Sequence, residues 1–241
     1  MNTSLIEQLA AVDWHSIATQ IDDIGYGRAG PVLDSDECAE LIALYDQDQK
    51  FRSTIDMAGY RFGEGQYRYF DDPLPSMITE LRQVLYGHLA PIANHMAARL
   101  PGGAHYPDNH AAYRQICHDA GQTKPTPLLL RYEAGGYNRL HQDLYGDLHF
   151  PLQVVILLSR TGEDFTGGEF MLVEQQPRAQ SIGQAINPGQ GEMLIIPVRE
   201  RPVERQSRGK RGHFRAPMRH GVSRLHTGLR YTLGVIFHDA A

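Results

Sequence analysis

The first half of the chain is patterned for helices. Apolar residues recur at helical spacing over residues 4–22, and again over 34–45, where an acidic start complements a helix N-terminus. The longest helical pattern covers residues 75–100, in which Pro91 predicts a kink or a division. A short helix is expected at 109–118.

From Thr123 onward, short apolar runs alternate with Gly- and Pro-rich turns. These runs predict strands at 128–132, 138–143, 151–159, 167–173, 192–197 and 229–237. Short strands between such turns indicate a sandwich or a barrel. Residues 59–70 add a predicted hairpin that turns at 63–65. We therefore expect an α+β protein in two regions: residues 1–122, helical with a short hairpin, and residues 123–241, which form the β core.

The composition is that of an ordinary globular protein. Hydrophobic residues make up 41% of the 241 positions and charged residues 21%, and no apolar run is long enough to cross a bilayer. The start of the chain lacks the basic and apolar regions of a signal peptide. Cys38 and Cys117 are isolated and follow no metal-binding spacing. These features predict a cytoplasmic protein in a reducing compartment.

The net charge of −5 is unevenly spread. Residues 199–219 hold eight cations against Glu200 and Glu204, a local charge of +6 that leaves −11 on the rest of the chain. The cations are Arg199, Arg201, Arg205, Arg208, Lys210, Arg211, Arg215 and Arg219. Two interpretations stay open: a solvated loop that balances an acidic body, or a nucleic-acid surface beside the site described next.

The strongest chemical signal is a His-x-Asp motif. On an extended segment His141 and Asp143 point the same way, because side chains alternate along a strand. His220 is the candidate third ligand. Two imidazoles and one carboxylate on one face suit Fe(II) with open positions for substrate and O₂, whereas structural zinc favours a closed set of four ligands with Cys.

Several ordered features extend this signal over residues 123–241. They are Tyr132-x-x-Gly135-Gly136 before the His-x-Asp motif, Gly167-Gly168-Glu169-Phe170, the turn and strand at 188–194, and His220-x-Val222 followed by Gly228-x-Arg230-x-Thr232. This set resembles the Fe(II)/2-oxoglutarate oxygenases. The closest likeness is to a bacterial group proposed, by analogy with AlkB-type demethylases, to act on damaged nucleic acid. The resemblance implies a double-stranded β-helix (jelly roll) core with the N-terminal helices packed around it.

The resemblance also implies roles for single residues. A His ten positions before an Arg is the distal iron ligand of such enzymes, which matches His220 and Arg230, and the Arg holds the distal carboxylate of 2-oxoglutarate. The guanidinium of Arg230 offers a fixed two-pronged donor for that carboxylate. Thr232 shares its face and can add a hydroxyl, and Tyr132 can add a phenol.

Other candidate residues have simpler interpretations. We expect His149 and His238 to be core or rim residues and His226 to lie in a turn, and we assign no role to His118 and His213. The aromatic cluster Tyr67, Tyr69 and Phe70 is more typical of hairpin packing than of a platform for stacking bases.

The sequence therefore predicts a dioxygenase that uses Fe(II), 2-oxoglutarate and O₂ and releases succinate and CO₂, with His141, Asp143 and His220 as metal ligands. Oxidative demethylation of nucleic acid is the first substrate hypothesis. The alternatives are hydroxylation of a protein side chain, as in prolyl hydroxylases, or of a small molecule, and a nucleic-acid-binding module without turnover. Nucleic acid is thus a candidate partner, no membrane association is expected, and the oligomeric state is left open.

Overall fold

The computed structural model describes residues 5–204 and 212–241. Within them the helices are α1 (Leu5–Ala10), α2 (Trp14–Ile24), α3 (Ser35–Ala43), α4 (Ser76–Ala98) and α5 (His110–Asp119). The single helix predicted at 4–22 is therefore wrong, because two helices occupy this stretch. The Asp13 side chain accepts a hydrogen bond from the backbone N–H of Ser16 (2.9 Å) and caps the second of them.

The three other predicted helices of the first region are confirmed as α3, α4 and α5, with one correction. Helix α3 begins with a capping box in which Asp34 and Glu37 satisfy each other's backbone N–H groups. Helix α4 continues through Pro91, so the predicted division of the helix at that residue is wrong. Leu85 and Leu89 before the proline and Met96 after it are all buried in the same core, and this packing supports both halves of the helix.

The strands are β1 (Gly27–Ala29), β2 (Phe51–Asp56), β3 (Gly63–Glu64), β4 (Gln66–Phe70), β5 (Leu128–Glu133), β6 (Tyr137–His141), β7 (Leu152–Leu157), β8 (Phe165–Gly167), β9 (Phe170–Glu174), β10 (Ile182–Ile186), β11 (Met193–Pro197), β12 (Glu200–Glu204), β13 (His213–Val222) and β14 (Leu225–Val235). They form two antiparallel sheets. The larger has the order β1-β11-β7-β14-β5-β4-β2, with β8 on β14. The smaller has the order β10-β9-β13-β6-β3, with β12 on β13.

The two sheets face each other, and the helices cover the outer face of the larger one. One core lies under the helices and includes buried residues of α4 together with apolar residues of β7 such as Val154 and Ile156. Smaller cores fill the space between the sheets. One of them joins Leu194 of the larger sheet to Leu172 and Met218 of the smaller. This arrangement confirms the predicted jelly roll core with packed helices.

The hairpin predicted at 59–70 is wrong in its pairing. Strand β4 pairs with β2, and residues 57–65 form the connection between them. The residues expected to make the tight turn instead reach the smaller sheet, where Gly63 pairs with Asn138. A side chain at Gly63 would overlap the backbone of Tyr137, and its φ of 151° also favours glycine.

Strands from the first region complete the larger sheet of the second. Strand β4 pairs with β5, and β1 pairs with β11. The boundary between residues 1–122 and 123–241 stays a prediction. Strands β1, β2, β10, β12 and β13 were not predicted from the sequence. No helix in the described ranges is long and apolar enough to cross a membrane.

Candidate active site

The two histidines of the candidate metal site lie side by side on neighbouring strands. His141 ends β6 and His220 lies in β13, and the two residues are direct partners in the antiparallel register. Their ring centroids are 4.4 Å apart. The ring of Phe170, from β9, stacks on His220 at 5.8 Å and supports it from the opposite side. The cross-strand pair therefore brings together imidazoles that are 79 positions apart in the sequence.

Asp143 completes the cluster from just beyond the end of β6. The strand was predicted to continue through Asp143, but it ends at His141. The alternation of side chains still holds, because Gln142 turns away and donates to the carbonyls of Arg199 (2.7 Å) and Met218 (2.9 Å). These bonds fix the segment so that the carboxylate lies beside both histidines.

The donor atoms of the three residues all lie within 4.8 Å of one another. Nε2 of His141 is 3.4 Å from Oδ1 of Asp143, and Nε2 of His220 is 3.1 Å from Oδ2. Nδ1 of His141 lies 2.7 Å from the carbonyl of Arg139, an acceptor that assigns the proton to Nδ1. Nε2 is therefore left with a free lone pair that faces the cluster.

The protonation states of Asp143 and His220 also favour metal binding. Burial raises the pKa of Asp143, but the charges and hydrogen bonds of His220 and His141 outweigh it and lower that pKa well below its usual range. Desolvation lowers the pKa of the buried His220, so this imidazole is neutral at pH 7. In His141 burial is outweighed by the bond to Asp143, which raises the pKa. An ionised carboxylate and a neutral imidazole are the forms that coordinate metals.

The donor set fits Fe(II). It consists of two nitrogens and one carboxylate on one side of a cavity, which leaves positions open for other ligands. No cysteine takes part, since Cys38 and Cys117 are buried free thiols of the helical core. A closed four-ligand structural zinc site is therefore not what these residues form.

Arg230 is a buried cation without a matching anion. It is 1% exposed and lies in β14 opposite Tyr132 of β5. One terminal nitrogen donates to the Thr232 hydroxyl (2.5 Å), while Nε is buried and has no hydrogen-bond partner. No carboxylate of the described residues forms an ion pair with it, and burial lowers its pKa to about 10. This arrangement can receive an anionic ligand.

Tyr132 lies beside this arginine. Its ring centroid is 5.8 Å from the guanidinium carbon of Arg230, and its side chain is fully buried. The phenol oxygen accepts a hydrogen bond from Nδ2 of Asn138 (3.2 Å), so its own proton remains available to another acceptor. Asn138 had not been predicted as a site residue.

One cavity of about 500 Å³ contains both groups of residues. The histidines and Asp143 line it from β6 and β13, and Arg230 and Thr232 line it from β14 in the facing sheet. Apolar residues and tyrosines form much of the remaining wall. Tyr67 and Tyr69 are part of that wall, while Phe70 lies in the core under the helices. The aromatic cluster thus serves both the cavity and the packing.

The rim of the cavity is apolar and cationic. It comprises Arg61, Phe62, Arg139, Leu140 and Leu144, and we call this set the mouth rim. Tyr60 and Phe62 are 60% and 47% exposed and stack on each other with centroids 5.5 Å apart. The backbone N–H of Arg139 donates to the carbonyl of Phe62 (2.8 Å), which joins the two segments. Asp143 is the one acidic residue among the described cavity-lining residues.

The basic segment at 199–219 contributes little to this site in its described part. Arg201 is buried and paired with Glu174 (2.6 Å), and Arg215 pairs with Glu200. None of its described cations lines the cavity. Its remaining cations, Arg205, Arg208, Lys210 and Arg211, lie outside the described residues.

The other histidines lie outside the cluster. His238 is buried and accepts from the backbone N–H of Phe150 (3.3 Å), and His149 packs against it at the rim of that core. His118 of α5 pairs with Asp239 (2.8 Å). His226 lies in β14 rather than in a turn, which corrects that expectation, and His213 begins β13.

Two polar neighbours of Asp143 were missed at the sequence level. The Tyr145 hydroxyl donates to Oδ1 of Asp143 (3.1 Å), and Nε2 of Gln153 donates to Oδ2 (2.9 Å). Both had a detectable signal. Tyr145 continues the alternation of His141 and Asp143, and Gln153 is the single polar residue in the apolar run that forms β7.

Comparisons with solved structures are consistent with this geometry. A prolyl-4-hydroxylase from Pseudomonas putida superimposes with a TM-score of 0.55 at 14% identity, covering 95% of this chain and 100% of that one. A prolyl hydroxylase from Trichoplax adhaerens, in complex with a hypoxia inducible factor peptide fragment, gives 0.56 at 15% identity, covering 98% and 92%. At these identities the likeness concerns the fold. The chain therefore has the fold of these hydroxylases, and its cavity carries a His–Asp–His cluster that suits Fe(II).

Sequence comparison gives the family. The chain belongs to a family described as oxygenases catalysing oxidative methylation of damaged DNA, whose model matches residues 65–240. An uncharacterised protein of Mycobacterium tuberculosis is 50% identical over 172 residues, which is 71% of this chain and 72% of that protein. The prediction of an oxygenase is confirmed, and the alternative of a binding module without turnover is set aside.

Proposed function

We propose that His141, Asp143 and His220 hold Fe(II), and that Arg230, Thr232 and Tyr132 hold 2-oxoglutarate in the same cavity. The observation that carries this proposal is the uncompensated buried guanidinium of Arg230, which shares a cavity with a neutral imidazole and an ionised carboxylate. A cation at one wall and a cation-binding cluster at the other match a ligand that carries a carboxylate and also chelates a metal.

Each residue contributes a defined interaction. Fe(II) and 2-oxoglutarate, when bound, supply the activation of O₂, and the cosubstrate leaves as succinate and CO₂. Arg230 offers its unpartnered Nε and the rest of its donor fork to the distal carboxylate, and Tyr132 offers its phenol proton. Thr232 orients the guanidinium through the bond it already accepts. Leu128, among other apolar wall residues, limits water in the cavity.

The test of the cofactor assignment is binding under anaerobic conditions. Wild-type protein with Fe(II) is expected to develop a visible charge-transfer band when 2-oxoglutarate is added. Arg230→Ala is expected to retain iron and to require on the order of a hundredfold more 2-oxoglutarate. If the requirement is unchanged, another cation such as Arg131 or Arg224 binds the cosubstrate.

The proposed substrate is a methylated base in single-stranded or flipped-out nucleic acid. Oxidation of an N-methyl group inserts one oxygen atom of O₂ into a C–H bond, and the other atom goes into succinate. The resulting N–CH₂OH group breaks its C–N bond and leaves as formaldehyde, while the nitrogen regains its proton. The description of the family as acting on damaged DNA supports this substrate.

The mouth rim supports the same substrate. Exposed aromatic faces such as Phe62 can stack on an unstacked base, and Arg61 and Arg139 can approach phosphates. A base that enters the cavity would meet a wall that includes the rings of Tyr67 and Tyr69. A groove for an extended peptide needs neither an exposed aromatic pair nor unpaired cations so strongly.

Substrate class is tested by turnover and by binding. Succinate and formaldehyde are measured with Fe(II) and 2-oxoglutarate over methylated single-stranded oligonucleotides, proline-containing peptides and small molecules. Formaldehyde that appears only with methylated oligonucleotides supports the proposal. Succinate formed only with peptides would instead favour a protein hydroxylase. Peptides are included because the chain shares its fold with prolyl hydroxylases.

Binding to unmodified single-stranded DNA tests the contribution of the mouth rim separately from turnover. Phe62→Ala and Arg61→Gln are expected to weaken binding several-fold, and Arg61→Gln is also expected to flatten its salt dependence. Ile116→Ala on α5 and Arg178→Gln are the matched controls, because both residues are exposed and neither lines the cavity. Equal effects of rim and control variants would contradict the role of the rim.

We also propose a cytoplasmic location. Cys38 and Cys117 are buried free thiols, and a reducing compartment that preserves them would keep iron in the Fe(II) state. Fractionation of cells that produce the full chain tests this proposal.

A further inference from the structure

Gln153 is a buried amide that its surroundings only half satisfy. It is 2% exposed, and its neighbours along β7 are apolar. Its Nε2 lies 2.9 Å from Oδ2 of Asp143 and 3.3 Å from Nε2 of His220. Its Oε1 is buried and has no hydrogen-bond partner. An apolar side chain would avoid that unsatisfied acceptor, so packing alone does not explain an amide at this position.

Tyr145 approaches the same carboxylate from another direction. Its hydroxyl donates to Oδ1 of Asp143 (3.1 Å), and its ring is held edge-on against Tyr69 at 5.9 Å and beside His238 at 5.8 Å. Each oxygen of Asp143 therefore has one neutral donor. A carboxylate oxygen has two lone pairs, so each retains one that faces the histidines.

Two fixed donors on opposite oxygens restrict the rotation of a carboxylate. The identity of the Gln153 atom that faces Asp143 is also determined, because an ionised carboxylate only accepts and would repel Oε1. Because both donors are uncharged, they orient Asp143 without neutralising the charge that attracts a cation. Charged donors in the same places would compete with a metal ion.

We propose that Gln153 and Tyr145 are positioning residues that hold the Asp143 carboxylate in the orientation required for metal binding. The proposal rests on the proposed function, in which Asp143 is a ligand of Fe(II). It assigns to Gln153 a role in metal affinity and coordination geometry and none in the stability of the metal-free fold. The residues next to a ligand typically change metal affinity by ten- to a hundredfold when they are replaced.

The test uses Co(II) as an oxygen-stable probe with the full-length, metal-free protein and without 2-oxoglutarate. Gln153→Leu and Tyr145→Phe are each expected to weaken Co(II) binding by at least tenfold in calorimetry and to change its visible d–d spectrum. The melting temperature of metal-free Gln153→Leu is expected to stay equal to that of the wild type or to rise.

Gln122→Leu is the matched control. Gln122 is also a buried glutamine with 2% exposure, but its amide is fully bonded, to the carbonyls of Leu148 (3.0 Å) and Asp239 (2.6 Å) and to the N–H of Leu148 (2.8 Å). Its replacement is expected to lower the melting temperature and to leave the affinity for Co(II) unchanged. This is the opposite of the result for Gln153→Leu.

The outcomes separate the two proposals. If wild-type protein binds Co(II) no better than His220→Ala does, the metal assignment under the proposed function fails. If the wild type binds one Co(II) and Gln153→Leu binds it within twofold with the same spectrum, the positioning role is overturned while the metal site stands. A lower melting temperature of metal-free Gln153→Leu would likewise overturn it in favour of a structural role.

Discussion

Replacement of Arg230 by methionine is expected to stabilise the protein without its ligands and to weaken its affinity for 2-oxoglutarate. Burial lowers the pKa of Arg230 from its ordinary value of 12.5 to about 10, a difference of roughly 2.5 units that corresponds to about 3 kcal/mol against the charged form. Methionine keeps most of the aliphatic stem and removes the charge. The lost hydrogen bond to Thr232 offsets about 1 kcal/mol of this gain.

The net gain in the free energy of unfolding is therefore about 2 kcal/mol. For a chain of this size it corresponds to a rise in melting temperature of roughly 4–8 °C. The affinity for 2-oxoglutarate should change in the opposite direction, by on the order of a hundredfold, because the charged bonds to its carboxylate are lost. The assay is urea denaturation of metal-free protein, repeated with Mn(II) and saturating 2-oxoglutarate, in which the wild type should gain more stability than the variant.

Arg82→Met is the control for the sign of the effect. Arg82 is as buried as Arg230, but it donates to Asp239 at 2.6 Å in a buried ion pair. Its removal leaves that carboxylate without its buried partner and should cost about 3–5 kcal/mol. If Arg230→Met destabilises the metal-free protein as much as Arg82→Met does, Arg230 is structural, and its uncompensated charge is not evidence of a ligand site.

Three further predictions concern pH, metal and backbone. Burial lowers the pKa of His110 and of His238 to about 3, below the value of about 6.5 in the unfolded chain, so both stabilise the fold above pH 6.5. That stability is lost as the pH falls, by about 2 kcal/mol for each histidine at pH 5, and equal urea midpoints at pH 7.5 and pH 5 would contradict it. His220→Ala should abolish the charge-transfer band with Fe(II) and 2-oxoglutarate, and an unchanged band would mean that the third ligand is another residue. Gly228→Ala should lower the melting temperature by several degrees in calorimetry, because a side chain there would overlap the carbonyl of Asp164 at a φ of 81°.

The structure brings the predicted residues of the candidate site together in one cavity, and two spacings along the sequence account for this. His141 and Asp143 are two positions apart near the end of a strand. His220 and Arg230 are ten apart, and the turn between β13 and β14 carries the chain from one sheet to the other. This short distance along the sequence therefore places a histidine and an arginine on facing walls of one cavity. The first spacing follows from the alternation of side chains along a strand, and the second was identified through the resemblance to the Fe(II)/2-oxoglutarate oxygenases.

Other features depend on pairings between distant segments. The partner of β4 is β2, a strand with no alternation strong enough to be recognised, and the predicted turn at 63–65 became part of the smaller sheet. The polarity of Gln153 was visible in the sequence, but its hydrogen-bond partner, Asp143, was not. Residues 143 and 153 meet only because the loop beyond β6 and strand β7 enter the same cavity.

The separation of Asp143 from Arg230 is the feature that makes the cavity receptive. A direct ion pair between the two would satisfy both charges and leave neither available to a ligand. The chain instead surrounds Asp143 with imidazoles and neutral donors, and it gives Arg230 only a hydroxyl and aromatic rings. Both charges are therefore held in a low-dielectric cavity with incomplete compensation. A cation beside Asp143 would balance the first charge, and a carboxylate beside Arg230 would balance the second. A single molecule that binds the cation and carries the carboxylate would connect the two sites.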